Sequence, residues 1–417
     1  FNRDGCEYPV YFDPGSPVLL GEEDESLNNW QHGFAFVAKW QTQLNIEDSV
    51  VVDISPKSVG NLNADPEVPD FLYNEHEGGD IGPGHAFNPI TGEPYEPELV
   101  LRGNFTRVLA EFWADGPDSE TPPGHWFSIL NEATLHPEFD WRWNGQGEVL
   151  EHGAWLARAY RLLGGAMHDA AIAAWSIKGY YDFVRPISAI RFMLAQGQCS
   201  DPTKANFSPE GVPLINNVFE IVEAGDPILD SQPQALGMVK VHQWVPNLET
   251  GVPSFEWRTG CSWWPYQRPT FVTPPFAGYV SGHSTFSRAA AEVLTYATGS
   301  MYFPGGLGTY DIGANDFLAF ESGPTESFTL QWATYKDAAD QCALSRIWGG
   351  IHPPMDDIRG RVVGSQVAER AIAAFEEGAN EEGPTVTCPA DIDANGQVGT
   401  GDLLFLLSEF GEICEDG

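Results

Sequence analysis

Basic residues are scarce in this chain. Its 417 residues include 21 Lys and Arg against 59 Asp and Glu, a net charge of −38. A nucleic-acid binder needs a basic footprint, and there is none overall. An anionic membrane surface is an equally poor partner. No apolar run reaches the length of a membrane span; the best candidate, 166–177, is broken by His168 and Asp169. Phe1-Asn2-Arg3-Asp4 has the character of a mature surface segment, so no signal peptide is expected there. Cysteines number six, with no CxxC: Cys6, Cys199, Cys261, Cys342, Cys388 and Cys414. That pattern points to disulfides and an extracytoplasmic protein, secreted or periplasmic. Cys388–Cys414 is the first expected pair and Cys199–Cys261 the second. Cys342 lies in a helical pattern and reads as a buried free thiol.

What is present suffices for a large core. Hydrophobic residues make up 42% and aromatics 12%, which excludes disorder of the whole chain. Gly 44 and Pro 32 predict long ordered loops. The length suits two or three domains, or one large domain with an appendage. Residues 1–98 read as a loop-rich extension with a helix over Trp30–Leu44. Val108–Trp113 fits a short helix stopping at Gly116-Pro117. Glu148–Tyr181 is long and periodic near 3.6 residues, hence mostly buried helix. Residues 195–275 read as loops. Ser281–Thr298, Thr325–Gly349 and Pro353–Glu377 read as helices, so the expected fold class is all-α. The Gly-containing acidic run Glu376–Pro384 reads as a linker. The expected division is a main domain 1–377, a linker 378–387 and a small module 388–417.

Three segments carry chemistry. In Lys178-Gly-Tyr-Tyr-Asp-Phe-Val-Arg185-Pro186 a spacing of seven puts Lys178 and Arg185 on one face, if the helix runs through both. Cations facing inward need something anionic; the alternative is a surface pair reaching solvent. In Ser281-Gly282-His283-Ser284, Ser281 suits an N-cap, whose free first-turn N–H groups form an anion site. Gly282 allows close approach of a ligand, and His283 is placed for proton transfer; the alternative is an ordinary cap with an incidental His. In Ser345-Arg346-Ile-Trp-Gly-Gly-Ile-His352-Pro-Pro-Met-Asp356, a helix ends at Gly349-Gly350 and the next starts at Pro353. His352 is held at the junction, and Asp356 or Asp357 can fix its tautomer. The alternative there is a capping His and a surface Arg.

Taken together these are the parts for holding a tetrahedral oxyanion, with two histidines left over for chemistry. The order Lys-x6-Arg-Pro, Ser-Gly-His, Ser-Arg-x5-His-x3-Asp resembles the superfamily of vanadium-dependent haloperoxidases and type 2 phosphatidic acid phosphatases. Glu111–Pro117, Thr121–Trp126 and 169–191 resemble bacterial haloperoxidases, and the likeness covers about residues 80–375. It departs at Val280, where many members have Pro. The resemblance implies a helical-bundle fold and vanadate as cofactor. His352 would coordinate vanadium, with Lys178, Arg185, Ser281, Gly282 and Arg346 on its oxygens. His283 would serve as the acid–base group, and Lys178 would polarise hydrogen peroxide for attack by halide. Trp175 and Phe276 fall at the positions of the halide pocket. A small organic acceptor would be halogenated, and the 195–275 insertion would shape the channel mouth or a contact within a homo-oligomer. The alternative is a soluble acid phosphatase, with His352 as nucleophile and His283 protonating the leaving group.

The C-terminal Asp391-Ile-Asp393-Ala-Asn395-Gly396-Gln397-Val398-Gly-Thr-Gly-Asp402 resembles a dockerin-type EF-hand loop. Asp391, Asp393, Asn395, the Gln397 carbonyl and Asp402 would bind calcium. One repeat stands where dockerins have two. A unit of this size needs a staple, and a protein or surface partner is expected for its Leu403–Phe410 face. Neither the halide nor the acceptor can be read from the sequence.

Overall fold

The computed structural model describes residues 2–3, 6–7, 10–21, 30–62, 73–74, 77–114, 120–260 and 262–380. Strands β1 (Asn2–Arg3) and β2 (Cys6–Glu7) precede α1 (Trp30–Gln41). Next come β3 (Val51–Asp53), β4 (Leu99–Leu101), α2 (Arg102–Phe112), α3 (Pro122–Leu135), α4 (His152–Tyr181) and α5 (Pro186–Gln196). A second set follows: β5 (Phe219–Ile221), α6 (Ile228–Ser231), β6 (Val239–Val245) and β7 (Ser254–Thr259). The chain continues through α7 (Gly282–Thr298), β8 (Gly308–Ile312), β9 (Phe328–Trp332), α8 (Tyr335–Trp348) and α9 (Pro354–Asn380). The chain divides into units 1–371 and 372–417, and the second is described only as the last turns of α9. No helix among the described residues is long and apolar enough to cross a membrane.

Most helix starts are dictated locally. The side chains of Thr121, Glu151, Ser281 and Thr334 each accept a first-turn N–H, and Thr334 forms a capping box with Asp337. α7 is the hub of the bundle, packing against α3, α4 and α8. Its Ala289, Ala290 and Ala291 are buried and short, so neighbours approach closely. α9 comes nearer still. A Cβ on Gly364 would sit 2.5 Å from the Thr285 carbonyl oxygen, and one on Gly360 2.7 Å from that of Ser281.

The helical reading holds for the bundle, and the structure departs from the sequence reading in one expected helix and in the expected loops of 195–275. Residues 325–334 are not helix: Phe328, Leu330 and Trp332 are buried in alternation along β9, which pairs antiparallel with β8, and the helix starts only at the Thr334 cap. Residues 195–275 contain a three-stranded antiparallel sheet in the order β5-β6-β7. Val239 and Val241 bury one face of β6 while Lys240 and His242 point away. Cys342 is a buried free thiol. Cys199 is also free, against its expected pairing with Cys261, which lies outside the described residues. Cys388, Cys414, the linker beyond residue 380 and the expected calcium loop lie outside them too.

Beneath the N-terminus of α7 lies a buried ionic network. Arg361 donates to both carboxylate oxygens of Asp357 at 2.8 Å each and to Asp340 at 2.8 Å. Asp357 also accepts from Tyr73 at 2.7 Å and from Ser284 at 2.8 Å. Removing one partner of such a network strands a charge without water. Asp357→Ala should therefore lower unfolding stability by about 3–5 kcal/mol in urea titrations. A loss under about 1 kcal/mol, the scale of an exposed pair, would contradict this.

Candidate active site

Among the described residues, seventeen line a cavity of about 550 Å³. Among them are Trp175, Lys178, Arg185, Phe276, Gly282, His283, Arg346 and His352, drawn from three helices and the loops between helices. All three sequence segments therefore meet at one place. Ser281 and Asp356 are fully buried and adjoin lining residues, Ser281 next to Gly282 in the chain and Asp356 through its bond to His352.

The route by which Lys178 and Arg185 come together differs from the expected one. They do not share a helix face. α4 ends at Tyr181, where Asp182 takes a left-handed conformation with φ 46°. Pro186 occupies the first position of α5 and leaves Arg185 extended as its N-cap. The segment between is a corner, and the two cations approach from its two sides. Lys178 donates to the carbonyls of Ala277 at 3.0 Å and Gly278 at 2.7 Å, leaving one of its three protons for another acceptor. Arg185 donates through Nε to the Phe276 carbonyl at 2.9 Å and through Nη1 to the Ile351 carbonyl at 3.0 Å. Its Nη2 is buried without a partner. Burial, reinforced by Arg185, holds the Lys178 ammonium well below its usual range; burial pushes Arg185 down to about 10.

His352 has its tautomer set from both sides. Nδ1 lies 2.7 Å from Asp356 Oδ2, and Arg185 Nη1 lies 3.0 Å from Nε2. A guanidinium only donates, so Nε2 carries the lone pair and Nδ1 carries the proton. Asp357, the other candidate for this role, is committed to Arg361, Tyr73 and Ser284. Burial pushes Asp356 up to about 7.

The N-terminus of α7 supplies the floor. Ser281 caps it, its Oγ accepting from Ser284 N at 3.3 Å, which leaves its own hydroxyl proton to donate. Gly282 and His283 stand in the first turn, where N–H groups have no helical acceptor. A Cβ on Gly282 would lie 3.1 Å from the Trp175 ring, so any other residue here would press that ring outward. His283 Nε2 is buried without a partner. Burial first, then Arg346, keeps this ring far below the ordinary imidazole range, with Lys178 and Arg185 adding to the effect.

Trp175 and Phe276 pack at the mouth with ring centroids 5.2 Å apart, and both are part exposed. The Lys178 ammonium lies 5.4 Å from the Phe276 ring centre. The sequence reading missed Gln267 and Phe271, which also line the cavity. They sit in an irregular stretch with no period or motif to mark them.

The family model described as VCPO second helical-bundle domain matches residues 158–204 and 236–381, a span that takes in all the motif residues above. Over these segments the chain has a vanadium haloperoxidase-like helical-bundle fold. A holo-type bacterial vanadium-dependent chloroperoxidase is similar at 19% identity and a TM-score of 0.44, covering 66% of this chain and 44% of that one. A bacterial vanadium-dependent iodoperoxidase is similar at 22% identity and a TM-score of 0.36, covering 64% and 43%. A vanadate-dependent bromoperoxidase from Ascophyllum nodosum, described as homohexameric, is similar at 13% identity and a TM-score of 0.40, covering 84% and 66%. The chain thus matches about half the length of most of these structures. No curated protein matches it.

An oxyanion in the cavity would offset the cations that depress His283, so binding should raise its pKa and take up protons. Tungstate remains a dianion across the neutral range. Its affinity should therefore increase as pH falls from neutrality to below 6.5, the ordinary imidazole value that relief of the cations restores, and His283→Ala should flatten the slope. Equal tungstate affinity at both ends, measured by calorimetry, would contradict this linkage.

Proposed function

We propose that the chain is a vanadate-dependent haloperoxidase, oxidising halide with hydrogen peroxide to hypohalous acid or an equivalent that halogenates organic acceptors. One observation carries the reading. Lys178 and Arg185 are buried in one cavity wall, and their described partners are carbonyls and one imidazole, with Arg185 Nη2 left over. Two buried cations hydrogen-bonded only to neutral groups, with the one Asp356 carboxyl as shared counter-charge and that group itself bonded to His352, fit a further anionic occupant. The donor set suits a tetrahedral oxyanion: a guanidinium fork, an ammonium proton, a hydroxyl and a free helix N-terminus.

Vanadate would be held on its oxygens by Lys178, Arg185, Arg346, Ser281 and the Gly282 amide, and Arg185 would give up its 3.0 Å contact with His352 Nε2 so that this lone pair serves the central atom. When bound it supplies a Lewis-acidic centre that activates hydrogen peroxide without changing oxidation state. Asp356 keeps the proton on Nδ1 of His352 and so keeps Nε2 available as a ligand. His283, neutral with Nε2 turned into the cavity, accepts a proton from incoming hydrogen peroxide and returns it to departing water. The Lys178 ammonium stabilises negative charge as the O–O bond breaks. Trp175 and Phe276 form the apolar side of the halide approach, where a partly dehydrated anion meets Lys178 and the ring edges.

The C-terminal loop Asp391–Asp402 belongs to the same proposal as a calcium site stapled by Cys388–Cys414, on its ligand spacing alone. An extracytoplasmic location fits such cysteines.

The test is iodide and bromide oxidation by the purified chain, with and without orthovanadate and beside His352→Ala. Turnover should require both orthovanadate and His352, and the variant should fall by at least about a hundredfold, on the scale of losing ligand and second-shell support together. Hydrolysis of a phosphomonoester that orthovanadate inhibits, with no halide oxidation, would replace the peroxidase with a phosphatase.

A further inference from the structure

A second cavity, of about 1010 Å³, shares no described lining residue with the candidate active site. It lies among the end of α2, α3, and the β8–β9 hairpin. Phe112, the last residue of α2, is the centre of its aromatic wall. Its ring lies 4.8 Å from Tyr310, 5.9 Å from Trp332 and 6.3 Å from Phe317, centre to centre. The rings meet edge-on, tilted or near-parallel, and of these Tyr310 is the exposed one while Phe112 and Trp332 are buried behind it.

The charge of the lining has one sign. Glu120, Glu132 and Asp311 stand at the rim, and the described lining includes no Lys or Arg. Glu111, deeper in, already accepts from the Ala319 amide at 2.7 Å and the Tyr266 hydroxyl at 2.9 Å. Burial pushes it up to about 7, so the rim carboxylates carry the charge. His125 beside Phe112 is held below the usual imidazole range by burial and adds no positive charge near neutrality.

These features select among ligands. An anion is repelled by the rim and by a chain of net charge −38. A compact metal ion does not fit either. Among the described residues no three His, Cys, Asp or Glu are close enough together to hold one. A large cation with a carbon body fits both halves of the lining, because ring faces attract positive charge and the rim carboxylates complement it. The volume suits a ligand of the usual small-molecule size. We propose that this cavity binds an organic ammonium ion bearing an aromatic or branched apolar group. The site stands independently of the haloperoxidase reading.

The experiment titrates benzyltrimethylammonium into the full chain by calorimetry at roughly physiological ionic strength, where diffuse attraction is screened. Benzyl alcohol and p-toluenesulfonate serve as the neutral and anionic counterparts. One-site binding of the cation is expected, about tenfold or more tighter than benzyl alcohol, with no binding of the sulfonate. Tyr310 is 47% exposed and Glu132 is exposed, so substitutions there leave the core intact. Tyr310→Ala should weaken the cation about 3- to 10-fold while Tyr310→Phe retains it, and Glu132→Gln should also weaken it. Equal affinity for benzyl alcohol would overturn the proposal. So would cation binding that neither Tyr310→Ala nor Glu132→Gln changes, which would mark it as attraction to an acidic surface at large.

Discussion

Lys178 and Arg185 stand in the same cavity wall, out of water, hydrogen-bonded to groups that carry no charge and sharing the one nearby carboxyl of Asp356. Burying a cation this way is expensive unless carbonyl dipoles and an anion share the work. The carbonyls of Phe276, Ala277, Gly278 and Ile351 do the first part, and each comes from an irregular segment just before or between helices. The fold must therefore hold those segments still. In the function proposed above the second part falls to an oxyanion, with Asp356 supplying the one carboxyl nearby.

Rigidity comes from the way α7 is seated. Its cap residue Ser281 donates its backbone N–H to the carbonyl of Asp356 at 2.8 Å, and the same Asp356 orients His352 through its side chain. The anion-binding N-terminus and the imidazole are thus tied to one residue. Two glycines of α9 let it press against the first turns of α7, and the Arg361 network holds that contact from below. A shift in any of these would move the cradle as a unit. That is the kind of support a preorganised electrostatic site needs.

Much of this was legible in one dimension. Ser281 as a cap, Gly282 as the point of close approach, and His352 between a Gly-Gly stop and a Pro start follow from local rules with a mechanism. The helices over 148–181 and 281–298 could be read from the residues, whereas the bundle was implied by the resemblance to the haloperoxidases. The rest depended on tertiary structure. Lys178 and Arg185 looked like neighbours on one helix, yet Asp182 breaks it, and only the turn reveals how they converge. The alternation in 328–332 was present in the sequence but hidden in a longer apolar stretch that ran on into a true helix. Gln267 and Phe271 carry no pattern, because an irregular loop places them through contacts far apart in sequence.

The central claim is that this cradle holds one tetrahedral oxyanion with His352 bonded to its central atom. A crystal structure of the chain grown with orthovanadate tests that most directly. The account predicts a single vanadium at the Nε2 atom of His352, with its oxygens met by Lys178, Arg185, Arg346 and the start of α7. Vanadium found only on the surface, or an empty cavity at saturating orthovanadate, would contradict it.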